Sequence, residues 1–442
     1  MGSLKLKVKH QMSDAERVQD LQRKLYRKAK QVKDFRFYVL YDKVSLPHFL
    51  REAYKRCKTK NGSPGVDGVR FQDVEAKGVE KFLSEIKEDL EKKTYKPQAI
   101  LRVEIPKANG KTRPLGIPTV RDRVIQMTVK LVIEPIFEAD FAESSYGFRP
   151  RLSAGDAVGA IKENLQEGRS DILDADLSAC FDTIPHKELM YLLAQRISDR
   201  NILHLIKMWL KAPVMEDGRP KGGKKRKVGI PQGGVISPLL ANIYLHLLDK
   251  AVNKAGGRFE RNGVRIIRYA DDFVLMAGKI PEECLCYLKR LLSRMKLQLN
   301  EEKSKVVSAQ EASFDFLGHT FRYSDDLYGR PIKYWNIEPS KKSQKKIREK
   351  IREYLRRNGH KSPQMLADDL NAILRGWINY YTIEGITYPG KAKRTLRYYL
   401  GMKLKRFYKR KSQRKCKLYN QGAMRILISK YGLIDPSKVA LR

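Results

Sequence analysis

This chain of 442 residues lacks the usual signs of export, membrane insertion and zinc binding. No apolar run approaches the roughly 20 residues that cross a bilayer as a helix, and the N-terminus opens without a secretory hydrophobic segment. No membrane partner is expected. The five cysteines, Cys57, Cys180, Cys284, Cys286 and Cys416, form no paired metal-binding spacing, and Cys284 with Cys286 alone is a poor zinc signal. Such usage fits a reducing compartment, so a cytoplasmic location is expected. Acidic side chains are also in short supply: 50 Asp and Glu face 90 Lys and Arg.

The imbalance leaves a formal charge of +40 at pH 7 and a pI of about 9.9. Such a field attracts polyanions and steers association with nucleic acid. A membrane surface could use the same charge, without any span to anchor it. The charge is uneven. Residues 331–442 hold 29 Lys or Arg against 7 Asp or Glu, a net of +22 from about a quarter of the chain. A separate C-terminal region facing RNA follows from that excess. The length allows more than one core, and two or three domains are expected.

Within this basic background an acidic pair, Asp271-Asp272, stands between two apolar runs, Val264 to Ile267 (Arg265 excepted) and Phe273 to Met276. The pattern predicts a β-hairpin with its turn at the acidic pair. Asp is common in turns, and two ordinary turn residues would explain it. Adjacent carboxylates nevertheless repel each other and call for a compensating cation. A second acidic strand strengthens that reading. Along Ser170 to Leu177, residues 172, 174 and 176 share one face, and Asp176 sits at the C-terminal end, where a ligand reaching toward the hairpin belongs. Mg²⁺ prefers hard oxygen ligands and substrate phosphates. Two such ions roughly 3.5–4 Å apart can activate an attacking hydroxyl and stabilise a leaving oxygen in phosphoryl transfer.

Tyr269-Ala270-Asp271-Asp272, with Asp176 upstream, resembles the catalytic centre of reverse transcriptases. Gly229-Ile230-Pro231-Gln232-Gly233-Gly234-Val235-Ile236-Ser237-Pro238-Leu239-Leu240-Ala241-Asn242 closely resembles the group II intron-encoded reverse transcriptase/maturase family. The likeness covers about residues 45 to 410 and weakens at both ends. It implies an α+β right-hand polymerase with a helical thumb. Residues 1–45 would be a basic N-terminal extension, 46–170 an N-terminal extension motif with the fingers, 171–322 the palm with fingers elements interleaved, 323–418 the thumb or maturase domain, and 419–442 a tail without a motif. The metal-binding endonuclease domain of some relatives is not expected.

By the same resemblance, Asp176, Asp271 and Asp272 are the catalytic and metal-binding residues for Mg²⁺, with Mn²⁺ as a substitute. Asn61 and Gly62 open a turn-rich loop that reads as a linker by composition and as a template lid by resemblance. Lys107, Lys111 and Arg113 could simply keep a loop soluble. The family likeness makes Arg113 the triphosphate clamp with Lys107 second, since Arg can fork across phosphate oxygens, and assigns Lys111 to the template. Arg149, in Ser144 to Pro150, either touches nucleic acid or braces the fold. Phe181, otherwise routine core, matches the aromatic that collides with a 2′-hydroxyl and so selects dNTPs. Asp182 is expected to cap a helix beginning near Ile184-Pro185. Gln232 and Lys303 would meet the nucleotide, and Gly233 and Tyr269 the template and primer. Gly318 and His319 lie in a primer-grip-like run, Phe314 to Phe321, where His319 reads as structural or as a primer contact.

Toward the C-terminus, Ile347, Ile351, Tyr354 and Leu355 form an apolar stripe that leaves Lys345, Lys346, Arg352 and Arg356 for phosphates. Trp377 reads first as a core anchor. In the basic run Lys391 to Lys417, Lys403, Lys405, Arg406 and Lys409 are candidate RNA contacts. The resemblance implies an RNA-directed DNA polymerase acting in group II intron mobility and assisting splicing. Its implied partners are intron RNA, an RNA template with a DNA or RNA primer, dNTPs and target DNA. A maturase with incidental polymerase activity, or a relative retained for repair, phage defence or spacer acquisition, are the rival readings. The oligomeric state stays open.

Overall fold

The structure, a computed structural model, describes residues 12–106, 110, 112–216, 218–223, 226–302, 304–325, 330–410 and 417–439. It is a mixed α+β fold. In chain order the described strands are β1 (Ile100–Pro106), β2 (Thr112–Ile117), β3 (Asp171–Asp176), β4 (Pro213–Glu216), β5 (Arg219–Gly222), β6 (Arg265–Tyr269), β7 (Asp272–Ala277), β8 (Lys305–Ser308), β9 (Phe314–Phe316), β10 (His319–Asp325) and β11 (Lys333–Pro339). They form three sheets, ordered β2-β1-β4-β5, β6-β7-β3-β8 and β11-β10-β9.

The second sheet is the centre of the fold, and period-2 alternation explains its burial. Successive strand residues point to opposite faces. On one face Leu173, Ala175, Ile266, Phe273, Leu275 and Ala277 join the large helical core. On the other, Ile172, Ile267, Val274 and Met276 pack with Phe314, Phe316, Phe321, Trp335 and Ile337 of the third sheet. Both faces are therefore covered, and β7 is apolar from Phe273 to Ala277. Truncating a fully buried side chain such as Phe273 to Ala costs about 3–5 kcal/mol.

Helix Val120–Glu138 runs through the large core with almost every side chain buried, as its apolar spread suggests. Thr119 caps it, accepting from the Asp122 amide. The N-terminal helix Asp14–Gln31 opens with a Ser13–Glu16 capping box and packs on helices Val120–Glu138 and Pro47–Lys60. It has no core of its own and contributes Val18 and Ala29 to the shared one.

A separate core holds helices Lys341–Arg357, Pro363–Tyr381, Gly390–Arg410 and Ala423–Tyr431 together. The predicted stripe Ile347, Ile351 and Leu355 is buried there, as is Trp377. Residues expected to form a tail also supply Ala423, Leu427 and Leu433 to that core. Asn371 ties the end in place: its Nδ2 donates to the Gly432 carbonyl at 2.9 Å and its Oδ1 accepts from the Ile434 amide at 2.8 Å. Among the described residues no helix is long and apolar enough to cross a membrane.

Candidate functional site

Strands β3 and β7 run antiparallel, and their register sets Asp176 directly against Asp272. Directly opposed residues have Cβ atoms roughly 4.5–5.5 Å apart, so the two carboxylates share one end of one sheet face. Strand β6 pairs Tyr269 with Asp272, leaving Ala270 and Asp271 as a two-residue turn. The hairpin is as the sequence suggests, but its turn is one residue earlier than the acidic pair. Asp272 belongs to the strand, and Asp271 alone is a turn residue. Ala270 takes the left-handed φ of +60° at the first turn position. Type II′ hairpin turns ask for a positive φ there, ordinarily with Gly, so the letters Ala-Asp do not announce this turn.

Asp176 is gripped by a residue that the sequence reading passed over. Asn300 Nδ2 donates to Asp176 Oδ2 at 3.1 Å, while the Asn300 amide donates to the Asp176 carbonyl at 2.8 Å. The Asp176 amide donates to Ser304 Oγ at 3.3 Å. A polar loop residue carries no periodicity, so only the crossing of residues 299–304 past the end of β3 reveals it. Two residues before Asp176 on the same face, burial pushes the Asp174 carboxyl up to about 6, with Lys305 opposing and Asp176 adding to the rise. Carboxylate therefore gathers at this end of the sheet, and Asp176, Asp271 and Asp272 are the groups that could hold a cation. Among the described residues no three His, Cys, Asp or Glu side chains converge into a ready-made metal cage.

The floor beside the carboxylates is built from two loops. Phe181, in the short helix Cys180–Thr183, is 8% exposed, and its carbonyl accepts from the Ile230 amide at 2.7 Å. That bond hangs the loop 229–234 over the aromatic ring's backbone. Gln232 then links three elements. Its Oε1 accepts from Arg113 Nε at 2.9 Å, its Nε2 donates to Asp182 Oδ2 at 3.3 Å, and its carbonyl accepts from the Gly116 amide at 2.5 Å. Asp182 therefore does not cap the helix His186–Arg196, whose N-cap Pro185 has no side-chain bond. It sits inside the preceding turn and orients Gln232 instead. Gly233 has φ +109°, and a Cβ there would run into the Gly116 carbonyl oxygen, so glycine is required for this close approach.

Several other sequence candidates separate according to burial. Arg149 is spent on structure: it forks onto Glu138 (Nη2–Oε1 2.7 Å) and donates from Nη1 to the carbonyls of Ala142 and Ser145 at 2.5 and 2.6 Å. Of its two readings, the brace is the one its geometry serves. Asn61 ends helix Pro47–Lys60 in a left-handed conformation. Behind Gly62, Arg123 of helix Val120–Glu138 bonds the carbonyls of Ser63 and Pro118 and docks the loop onto that helix.

His319 is fully buried, its ring 5.6 Å from that of Tyr380 and 4.9 Å from that of Tyr381. A direct primer contact through the imidazole would require those tyrosines to move; the structural reading is the one that burial fits. Gly318, at φ +76°, lies against Tyr381 Oη and Ser343 Oγ with no room for a Cβ. Tyr269 is half-buried. Lys107, Lys111 and Lys303 lie outside the described residues.

Of the basic candidates, Lys345, Lys346, Arg352, Arg356, Lys405, Arg406 and Lys409 are exposed. Lys403 is half-buried, its Nζ 5.3 Å from the Tyr399 ring.

Two family models match this chain. Residues 105–321 match the family model described as Reverse transcriptase (RNA-dependent DNA polymerase), and residues 344–422 match Group II intron, maturase-specific domain. Protein YkfC of Escherichia coli is 34% identical over 353 residues, covering 71% of this chain and 90% of its own length. Group II intron-encoded protein LtrA of Lactococcus lactis subsp. cremoris is 35% identical over 269 residues, covering 61% of this chain and 42% of its own. Nuclear intron maturase 2, mitochondrial, of Arabidopsis thaliana is 32% identical over 167 residues, covering 29% and 23%. The chain thus spans most of the first relative and under half of the other two.

Proposed function

Because this chain belongs to the group II intron-encoded reverse transcriptase/maturase family, we propose that it copies RNA into DNA at the Asp176–Asp271–Asp272 centre and assists an intron RNA through its basic C-terminal helices. The observation that carries this reading is the register of β3 against β7, which sets Asp176 opposite Asp272 beside the Asp271 turn. In this reading the central sheet is the palm, strands β1, β2, β4 and β5 belong to the fingers, and the C-terminal helical core is the thumb.

The donor set suits Mg²⁺, or Mn²⁺ in its place. Mg²⁺ is commonly held by one or two carboxylates, waters and substrate phosphates rather than by a complete protein cage, which is what opposed aspartates at a sheet end provide. Asp176 and Asp271 are the principal ligands, with Asp272 supporting. When bound, the metal supplies Lewis-acid activation of a primer 3′-hydroxyl and charge neutralisation on the phosphates.

The chain's own groups do the positioning. Arg113, steadied by Gln232, takes the triphosphate of the incoming dNTP, with Lys107 and Lys303 as further cations. Phe181 fills the space of a 2′-hydroxyl. Gly233, Tyr269 and Gly318 line the template and primer path, with Asn61, Gly62 and Lys111 on the template side. The primer oxygen attacks the α-phosphate and pyrophosphate leaves; alignment and electrostatic stabilisation supply most of the acceleration. Lys345, Lys346, Arg352, Arg356, Lys403, Lys405, Arg406 and Lys409 neutralise RNA phosphates.

The test is primer extension on a primed RNA with dNTPs. Wild-type protein should extend the primer in Mg²⁺ and stop in chelator. Asp176→Asn and Asp271→Asn should each lose at least a hundredfold in rate while holding template within about twofold of wild type, the size of loss typical when one electrostatic catalytic group is removed. Extension at the wild-type rate by either variant would reject the assignment.

A further inference from the structure

Arg268 heads the fully buried side chains by volume among the described residues, and the carboxylate it faces, Asp249 in helix Ser237–Val252, is equally buried. The pair is bidentate, Nε to Oδ1 at 2.7 Å and Nη2 to Oδ2 at 2.5 Å. Burial alone would raise the Asp249 carboxyl; the Arg268 charge and hydrogen bonds outweigh it and leave the group below its ordinary value. Three further bonds complete the guanidinium. Nη2 donates to Ser145 Oγ at 2.7 Å, and Nη1 to Asn242 Oδ1 at 3.0 Å and to the Ala270 carbonyl oxygen at 2.8 Å. Those five bonds match the five N–H donors an arginine owns.

The last acceptor is the informative one. Ala270 is the turn residue between Tyr269 and Asp271, and it holds φ +60°, where an L side chain is strained and persists only if its surroundings impose it. The surroundings do so from behind. Arg268's amide donates to the Ser144 carbonyl and its own carbonyl accepts from Tyr146, both at 2.8 Å. Asn242 Nδ2 donates to the Gly147 carbonyl at 2.8 Å. A Cβ on Gly147 would strike the Ala270 amide nitrogen. Three stretches distant in sequence, residues 144–147, helix Ser237–Val252 and β6, therefore meet at one guanidinium behind the turn.

We propose that Arg268, held by Asp249, Asn242 and Ser145, is a positioning residue that places Asp271 by binding the Ala270 carbonyl oxygen. The inference rests on the polymerase reading above. A purely structural role is the competing account, and the chemistry separates the two. A buried ion pair can be replaced by apolar side chains of similar volume with little loss of stability, sometimes with a gain. No apolar pair can hold the Ala270 carbonyl.

The experiment compares wild type, Arg268→Lys, the double variant Arg268→Met with Asp249→Leu, and Ser145→Ala. Readouts are kcat per titrated active site, KM for dNTP, melting temperature, and hydrogen–deuterium exchange of the peptide spanning 269–273. Wild-type protein that does not extend a primer refutes the polymerase reading itself. Given wild-type extension, the double variant should melt within a few degrees of wild type, lose at least tenfold in kcat with KM changed by under about twofold, and exchange the turn amides at least tenfold faster. Ser145→Ala, which removes one of the guanidinium's partners while leaving the Ala270 bond in place, should fall between wild type and the double variant in both kcat and turn exchange. Should the double variant fail to fold, Arg268→Lys decides, since lysine keeps the charge against Asp249 but offers a single donor centre. Wild-type kcat and turn exchange in a folded variant that lacks the guanidinium overturn the proposal.

Discussion

Arg113 and Gln232 are joined by a hydrogen bond, Nε to Oε1 at 2.9 Å, that ties the β1–β2 hairpin to the loop beside Phe181. Asp182 takes the other end of the Gln232 amide, so its oxygen is turned toward the arginine. Strand β2 and the loop 229–234 are thus connected before any substrate arrives. Arg113→Ala is expected to raise KM for dNTP tenfold or more, consistent with the roughly 1.5–3 kcal/mol of a hydrogen bond to a charged group. Gln232→Ala should raise it less. Because the two side chains touch, the double variant should cost less than the sum. A double-mutant cycle on KM measures this, and strict additivity would show that the bond has no part in nucleotide binding.

Phe181 offers a test of sugar selection. Its ring is almost fully buried and its carbonyl is tied to Ile230. Phe181→Val keeps an apolar side chain while opening space where the 2′-hydroxyl would fall. Steric discrimination in a pocket is worth about 1–3 kcal/mol, so the dNTP to rNTP preference should fall by tenfold or more. The ratio of kcat/KM for dCTP and rCTP on one template measures it. An unchanged ratio in a protein that extends normally would leave Phe181 as core alone.

His319 should make stability depend on pH. Burial pushes its imidazole from the ordinary 6.5 down to about 4, so the folded protein keeps it neutral. Between those values the unfolded chain binds the extra proton, and stability rises with pH across the window. The contribution is complete above pH 6.5 and is lost as pH falls toward 4. His319→Phe retains a ring against Tyr380 and Tyr381 and removes the titration. Chemical denaturation at pH 7 and pH 5 should therefore show a drop in stability smaller in the variant by on the order of 2 kcal/mol. Equal drops would show that the imidazole is solvated in solution.

The helix Gly390–Arg410 carries four of the candidate RNA contacts. Lys405, Arg406 and Lys409 are open to solvent, while Lys403 is partly covered near Tyr399. Each phosphate neutralised contributes about 0.7–0.9 to the slope of log affinity against log salt. Replacing all four with Ser should lower that slope by about 3–3.5 for intron RNA and weaken its binding more than extension on a short primed template. Competition with a size-matched structured RNA at fixed salt reads specificity, which phosphate contacts alone do not confer. An unaltered slope would move the RNA surface elsewhere, for which Lys345, Lys346, Arg352 and Arg356 on the neighbouring helix are the next set.

Much of the centre was legible because strands write themselves in period 2. Asp176 at the end of β3 needed only alternation and the chemistry of carboxylates, and the run after Asp272 was legible as an unbroken apolar stretch. The turn was misplaced by one residue because Ala270 carries no turn signal; its positive φ is imposed by Gly147 and by Arg268. Asp182 looked like a cap from its position before a helix, and became a partner of Gln232 only when the chain folded back from residue 232. Asn300 was invisible for a similar reason, since a polar loop residue has no periodicity to betray what it grips.

Taken by itself, the sequence determined the charge, the carboxylate chemistry and the family, since these depend on which side chains are present and in what order. Tertiary structure alone decided which polar groups stay at the surface and which are sunk into the fold. Arg113, Arg149 and Arg268 are the same residue type. One reaches across the centre to Gln232, one is consumed by Glu138, and one is closed off with Asp249 behind the turn. The type of a side chain sets its charge, but its solvation and partners are set by neighbours far away in sequence, and those meet only when the sheets and helices have packed.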